Sequence, residues 1–137
     1  MTQSSERLRL SEVGTWIVLA PAIGLLLIGV VFLASPQSGA AIFGVPAPPG
    51  SEPYLIAIGL RDIAFGLYVL ALALFASRRA VGLVLGITIL IPLGDIAIVA
   101  VERGWSGWGH LLLHAASGTY MAAASWWMLR QADPRKA

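Results

Sequence analysis

The chain has no cysteine, so it has no disulfide framework, no thiol nucleophile and no cysteine-held metal or cluster. Charge is scarce as well. Asp, Glu, Lys and Arg make up 12% of the 137 residues, about half the share of an ordinary soluble domain. That shortage argues against a soluble enzyme, a nucleic-acid binder and a disordered chain. A Gly-x-Ser-x-Gly elbow and a phosphate-binding glycine loop are both missing, which sets aside the common serine-hydrolase and nucleotide-binding sites. There is no internal repeat and no low-complexity tract. The net charge of +2 does not indicate nucleic acid, because Arg7, Arg9, Arg78, Arg79, Arg130, Arg135 and Lys136 sit at the ends of apolar runs, where they would meet lipid headgroups.

What the chain has in abundance is apolar sequence, 58% of all residues. Four stretches stand out, at about 13–34, 54–76, 80–101 and 107–129. A helix needs about 20 residues to cross a hydrocarbon core of about 30 Å. Backbone groups in lipid must be paired within the segment, so each run reads as a helix. One such run could be a buried soluble helix; four leave too little chain to cover them. The expected fold is all-α, a single integral membrane domain built as a four-helix antiparallel bundle over residues 1–137. The first run exceeds the roughly 7–15 apolar residues of a signal peptide, and it is expected to be retained.

The connections Ser77–Arg79 and Glu102–Ser106 are short, so successive spans should be antiparallel neighbours. The loop 35–53 is longer and holds Pro36, Pro46, Pro48, Pro49 and Pro53 of the eight prolines. Its stretch Ala40–Val45 is apolar but too short to span; it fits either a lid dipping over the bundle or a stiff surface loop. Basic residues gather at the two tails and the second loop, which by the positive-inside rule puts both termini in the cytoplasm. Trp16, Trp126 and Trp127 then mark the inner interface, and Tyr54, Trp105 and Trp108 the outer.

Five ionisable residues fall inside the spans: Arg61, Asp62, Asp95, His110 and His114. A charge in the bilayer costs several kcal/mol, so such groups should face the bundle interior and mark function. At about 1.5 Å per residue, Asp62 lies about 12 Å, Asp95 about 9 Å, His110 about 5 Å and His114 about 11 Å from the outer ends of their helices. Three helices thus bring ionisable groups to one layer. Face analysis agrees: Thr88, Pro92 and Asp95 align on span three, His110, His114, Ser117 and Met121 on span four, and Gly59, Asp62 and Gly66 on span two. Pro92 cannot donate to the Thr88 carbonyl, which predicts a kink one turn before Asp95.

The Gly59-Leu60-Arg61-Asp62 start of span two, the late Asp95 of span three and the early histidine of span four resemble a family of small four-span membrane proteins classed as a domain of unknown function. The resemblance runs from about residue 13 to 128. It implies the four-helix membrane fold and points to Arg61, Asp95 and either His110 or His114 as site residues. It implies no activity.

Chemically, two aspartates with an arginine between them can separate into an acid and a base, and a histidine can relay the proton. The expected site therefore has Asp95, Asp62, His114 and Arg61 as catalytic groups, with His110, Ser117, Thr88 and Tyr120 contacting substrate. By its depth, nearer the inner half, Tyr120 suits packing better than substrate contact. Such a site would isomerise, cyclise or open an epoxide on a lipophilic small molecule arriving from the membrane lipid, with no cofactor and no nucleic acid. A His₂Asp₂ metal site is a weak rival, since the residues between the two histidines are all leucine. The other function class is a binding or transport protein for a proton, an ion or a lipophilic compound. Gly82 and Gly86 form a Gly-x-x-x-Gly motif that serves either packing within the chain or a homo-oligomer.

Overall fold

A computed structural model of the protein describes residues 13–132. Arg7, Arg9, Arg135 and Lys136, four of the seven basic residues used for orientation, lie outside the described residues. The order of elements is α1 (Val13–Ala34), α2 (Pro36–Phe43), α3 (Glu52–Phe75), α4 (Arg78–Thr88), α5 (Leu90–Arg103), a 3₁₀ turn at Gly104–Gly107, and α6 (Trp108–Gln131). The described residues contain no sheet. Three continuous helical stretches are long and apolar enough to cross a membrane: α1, α3 and the run Arg78–Gln131. The last folds back on itself at the 3₁₀ turn and so makes two passes, α4–α5 and α6. The protein is an integral membrane four-helix antiparallel bundle.

Boundaries depart from the sequence reading at α4 and α2, and the kink expected before Asp95 is a break in the helix, each for a local reason. Arg78 and Arg79 are helical, not loop, because the Ser77 hydroxyl caps α4 by accepting from the Ala80 N–H at 3.3 Å. The third span is interrupted at Ile89, between α4 and α5. Pro92, three residues on, has no N–H for the Thr88 carbonyl, and its ring crowds the turn before it. The loop 35–53 begins with a true helix, α2. Pro36 occupies its first turn, where a missing N–H costs nothing, and Gly44 closes it at φ +103°, a conformation that glycine adopts without strain.

Packing is pairwise. α1 lies along α3, and α4–α5 along α6. The α1–α3 pair closes on glycine: a methyl group on Gly59 would stand 2.8 Å from the Gly29 carbonyl oxygen, so a side chain there would force the backbones apart. Close backbone approach of this kind replaces the hydrophobic effect as the source of cohesion in lipid. Gly82 and Gly86 are engaged within the chain, Gly82 against Leu129 and Met128 and Gly86 against Ser125, whose hydroxyl donates to the Gly82 carbonyl at 2.7 Å.

The two pairs meet in a buried core at one end. There Val18, Leu19 and Ala22 of α1, Val69 and Ala73 of α3, Val81 and Leu85 of α4, and Ala124 and Met128 of α6 form one buried cluster. This closed end is rimmed by Trp16 and by Trp126, over whose ring the Arg130 guanidinium sits at 4.0 Å. Arg78 is hydrogen-bonded to Gln131 beside it. Toward the other end, α5 packs on α6 while α3 packs on α1 and α2, and a gap lies between the pairs. The outward faces stay apolar throughout: Leu27, Leu67, Ile87, Leu90 and Leu112 are all more than half exposed, as lipid contact requires.

Candidate functional site

The split between the pairs encloses a cavity of about 340 Å³, within the size range of small-molecule sites. Its walls come from α1 (Leu25, Ile28, Phe32), α3 (Ile58, Arg61, Asp62), α4–α5 (Thr88, Ile91, Pro92, Asp95) and α6 (Leu113, His114, Ser117, Met121), and α2 adds Ile42 and Phe43. The lining is mainly apolar, with a few polar groups set into it.

Asp62 is buried on α3, and Arg61, the next residue, turns back toward it. The Nε and Nη2 of Arg61 both donate to Asp62 Oδ1, at 3.1 and 2.9 Å. The Arg61 side chain is 57% exposed and that of Asp62 12%, so the pair has one charge at the cavity edge and one inside. Asp95 follows the break in the third span by six residues. Its Oδ2 lies 3.5 Å from His114 Nδ1 across the α5–α6 interface. The direct contacts are those of two pairs, Arg61 with Asp62 and His114 with Asp95, with Arg61 near enough to act on Asp95 as well. Sequence spacing put all four groups at one depth but could not say which would touch.

Both histidines hold α2, His114 in addition to its contact with Asp95. His114 Nε2 donates to the Phe43 carbonyl at 2.9 Å, and the Phe43 ring meets the imidazole edge-on at 5.2 Å. His110 Nε2 donates to the Ala41 carbonyl at 3.1 Å, and Arg103 Nη1 reaches the Gly44 carbonyl at 3.5 Å. The last carbonyls of a helix lack intrahelical partners and carry the negative end of its dipole. In α2 that end is received by three cation-capable side chains from α5 and α6. Gln37 Nε2 donates to Glu52 Oε1 at 3.1 Å, which ties the start of α2 to α3. α2 thus packs against the cavity in the place the lid alternative assigns to it, while residues 46 and 48–50 beyond it are exposed. The sequence carried one signal for the lid helix, the Ser35-Pro36 start and the Gly44 stop. It carried none for the partners of its carbonyls.

The remaining candidates divide. Ser117 lines the cavity and its hydroxyl has no partner within the described residues. Thr88 also lines it, but its hydroxyl donates to the Val84 carbonyl at 2.7 Å. His110 does not line the cavity and sits at the rim holding α2. Tyr120 is turned away: its hydroxyl donates to the Ile17 carbonyl of α1 at 2.9 Å, a strut between the two helix pairs. The two imidazoles address the alternate lid carbonyls of Ala41 and Phe43, and His114 alone also faces an aspartate. Among the described residues no three acidic or imidazole groups stand close enough to share a metal ion. Phe43 is the functional candidate that sequence reasoning passed over, because its contribution is a backbone oxygen.

Residues 22–128 match the family model of the domain of unknown function DUF4267, and the chain belongs to that family. The match covers most of α1, the lid, both polar pairs and nearly all of α6. No curated protein and no solved structure matches the chain.

Proposed function

We propose that this DUF4267 protein is a membrane enzyme that carries out acid–base chemistry on a lipophilic small molecule taken from the bilayer. The observation that carries the reading is the His114–Asp95 pair at 3.5 Å on the wall of a largely apolar cavity. A carbonyl can only accept, so the Nε2 that bonds Phe43 O bears a proton, and Nδ1 is left facing Asp95. One proton between Nδ1 and the carboxylate makes a couple that can give a proton to a ligand and take it back. Asp62, oriented by the Arg61 fork, supplies a second carboxylate to the same space. Isomerisation, cyclisation and epoxide opening all need such an acid and base on opposite sides of a bound group. The analogy is one of chemical groups and not of fold. Docking of α2 by His110, His114 and Arg103 shields the site from water.

In the same proposal, the closed end faces the cytoplasm, both termini included, and α2 lies on the other side. Arg78, Arg79 and Arg130 at the closed end support this orientation. The chain has no cysteine of its own, so single cysteines at Ser38 and Ser106 can be labelled cleanly. Both should react with an impermeant maleimide from outside intact cells; reaction only after lysis overturns the orientation.

The test of activity uses purified protein incubated with an extract of the host membrane, with bound and released molecules followed by mass spectrometry. A molecule converted by the parent protein and retained unconverted by Asp95→Asn and His114→Ala is the expected result. A molecule bound alike and unchanged in all three overturns the enzyme reading. That second outcome would favour a binding or transport protein, for which one observation speaks: the helix break at Ile89 beside the cavity is of the kind transporters use at their sites.

A further inference from the structure

The charges in the cavity cancel in pairs. Arg61 and Asp62 neutralise each other through two hydrogen bonds to one carboxylate oxygen. For the second pair, the hydrogen bond to Phe43 fixes a proton on His114 Nε2. Its Nδ1 faces the Asp95 carboxylate at 3.5 Å, the spacing of an ion pair when the ring is protonated. With one proton on that side, as imidazolium with carboxylate or imidazole with carboxylic acid, this pair also sums to zero. Among the described residues no other ionisable side chain lines the cavity.

We infer that the ligand of this cavity is an uncharged amphiphile: an apolar body carrying a neutral oxygen such as an alcohol, ketone, ester or epoxide. The inference rests on reading the cavity as a ligand site and specifies what that site accepts. A ligand charge would enter a low-dielectric space with no free counter-charge, at a cost that an ion pair already satisfied cannot offset. A carboxylate or phosphate head would have to take Arg61 from Asp62 and leave that buried carboxylate alone; an ammonium would have to do the reverse. A neutral oxygen faces no such exchange. Ser117 offers it a hydroxyl with no partner within the described residues, and Arg61 Nη1, the guanidinium nitrogen that makes no bond to Asp62, offers a donor. Leu25, Ile28, Phe32 and Met121 receive the apolar body.

The experiment compares three probes of one chain length, decan-1-ol, decanoate and decyltrimethylammonium, on the full chain in phosphatidylcholine nanodiscs. Occupancy is read by native mass spectrometry and corrected for partition of each probe into empty discs. The parent should bind decan-1-ol at least about tenfold more tightly than either charged probe, a difference of about 1.4 kcal/mol. Asp62→Asn frees the Arg61 charge and should raise decanoate affinity by about tenfold. Arg61→Gln frees the Asp62 charge and should do the same for decyltrimethylammonium. The double variant is neutral again and should return to the parent's order, which tests the inference even if an unpaired charge prevents a single variant from folding. A parent that prefers a charged probe, or binds none of the three saturably, overturns the inference. So do single variants that fail to shift preference in opposite directions, or a double variant that departs from the parent. Turnover does not enter this readout, so loss of the enzyme reading and loss of this one are separately visible.

Discussion

The closed end and the split end are made of the same four passes, yet they are held together differently. At the closed end, small and branched residues from all four passes interlock around Val18, Leu85 and Met128, each at most 1% exposed. At the split end the two pairs share few direct contacts, and the gap holds the cavity, two charge pairs and the lid. Cohesion in lipid comes from van der Waals packing and interhelical hydrogen bonds. The closed end relies mainly on the first, with the Ser125–Gly82 and Tyr120–Ile17 bonds added to it. The split end relies on the second, through the bonds that His110, His114 and Arg103 make to carbonyls of α2. A membrane protein of this size can leave a cavity open because the interlocked end fixes the register of the passes around it.

Mutations can break or sharpen that contrast. The largest effect is expected from Leu85→Ala, which opens a void where all four passes meet and should cost about 3 kcal/mol, measured by reversible unfolding in mixed micelles. Gly44→Val comes next, at about 2 kcal/mol: the position has φ +103°, and a Cβ there would stand 2.5 Å from the His110 ring. Its cost should fall on the lid alone. The expected sign is faster maleimide labelling of a cysteine placed at Ser38, with the unfolding midpoint of the bundle little changed; a global loss equal to that of Leu85→Ala would show that the two ends are not independent. Leu25→Ala removes a side chain that already borders open space. It should cost about 1 kcal/mol, because few contacts are lost, while weakening decan-1-ol binding several-fold in the nanodisc assay. Ser77→Ala deletes the cap of α4 at the closed end and should cost about 0.5 kcal/mol, the low end for an N-cap. Its helix is held by packing on α6, and a much larger loss would mean that the cap, not the packing, holds the closed end.

Much of the architecture follows from sequence because lipid imposes a simple rule: a long apolar run has to be a helix, since no water is present to satisfy its backbone. The bounds of α1, the short reversal at Ser77 and the interruption near Pro92 could all be read that way. So could the depth of Arg61, Asp62, Asp95 and His114, because helical rise turns residue number directly into height. Partner choice could not. Height and face angle leave open whether Arg61 reaches Asp62 or Asp95, and that depends on how far the helix pairs separate, which Gly29, Gly59 and the closed-end cluster decide together. Tyr120 shows the same limit: its hydroxyl lies within reach of α1 only because α6 leans there. The sequence by itself determined that this protein lives in a membrane as four helices and that its ionisable groups lie in one layer. Only the tertiary structure decided the two separate charge pairs and the use of both histidines to hold the lid. The physical reason is that pairing and lid docking depend on distances of a few tenths of an ångström between helices, and on backbone carbonyls that no residue type announces.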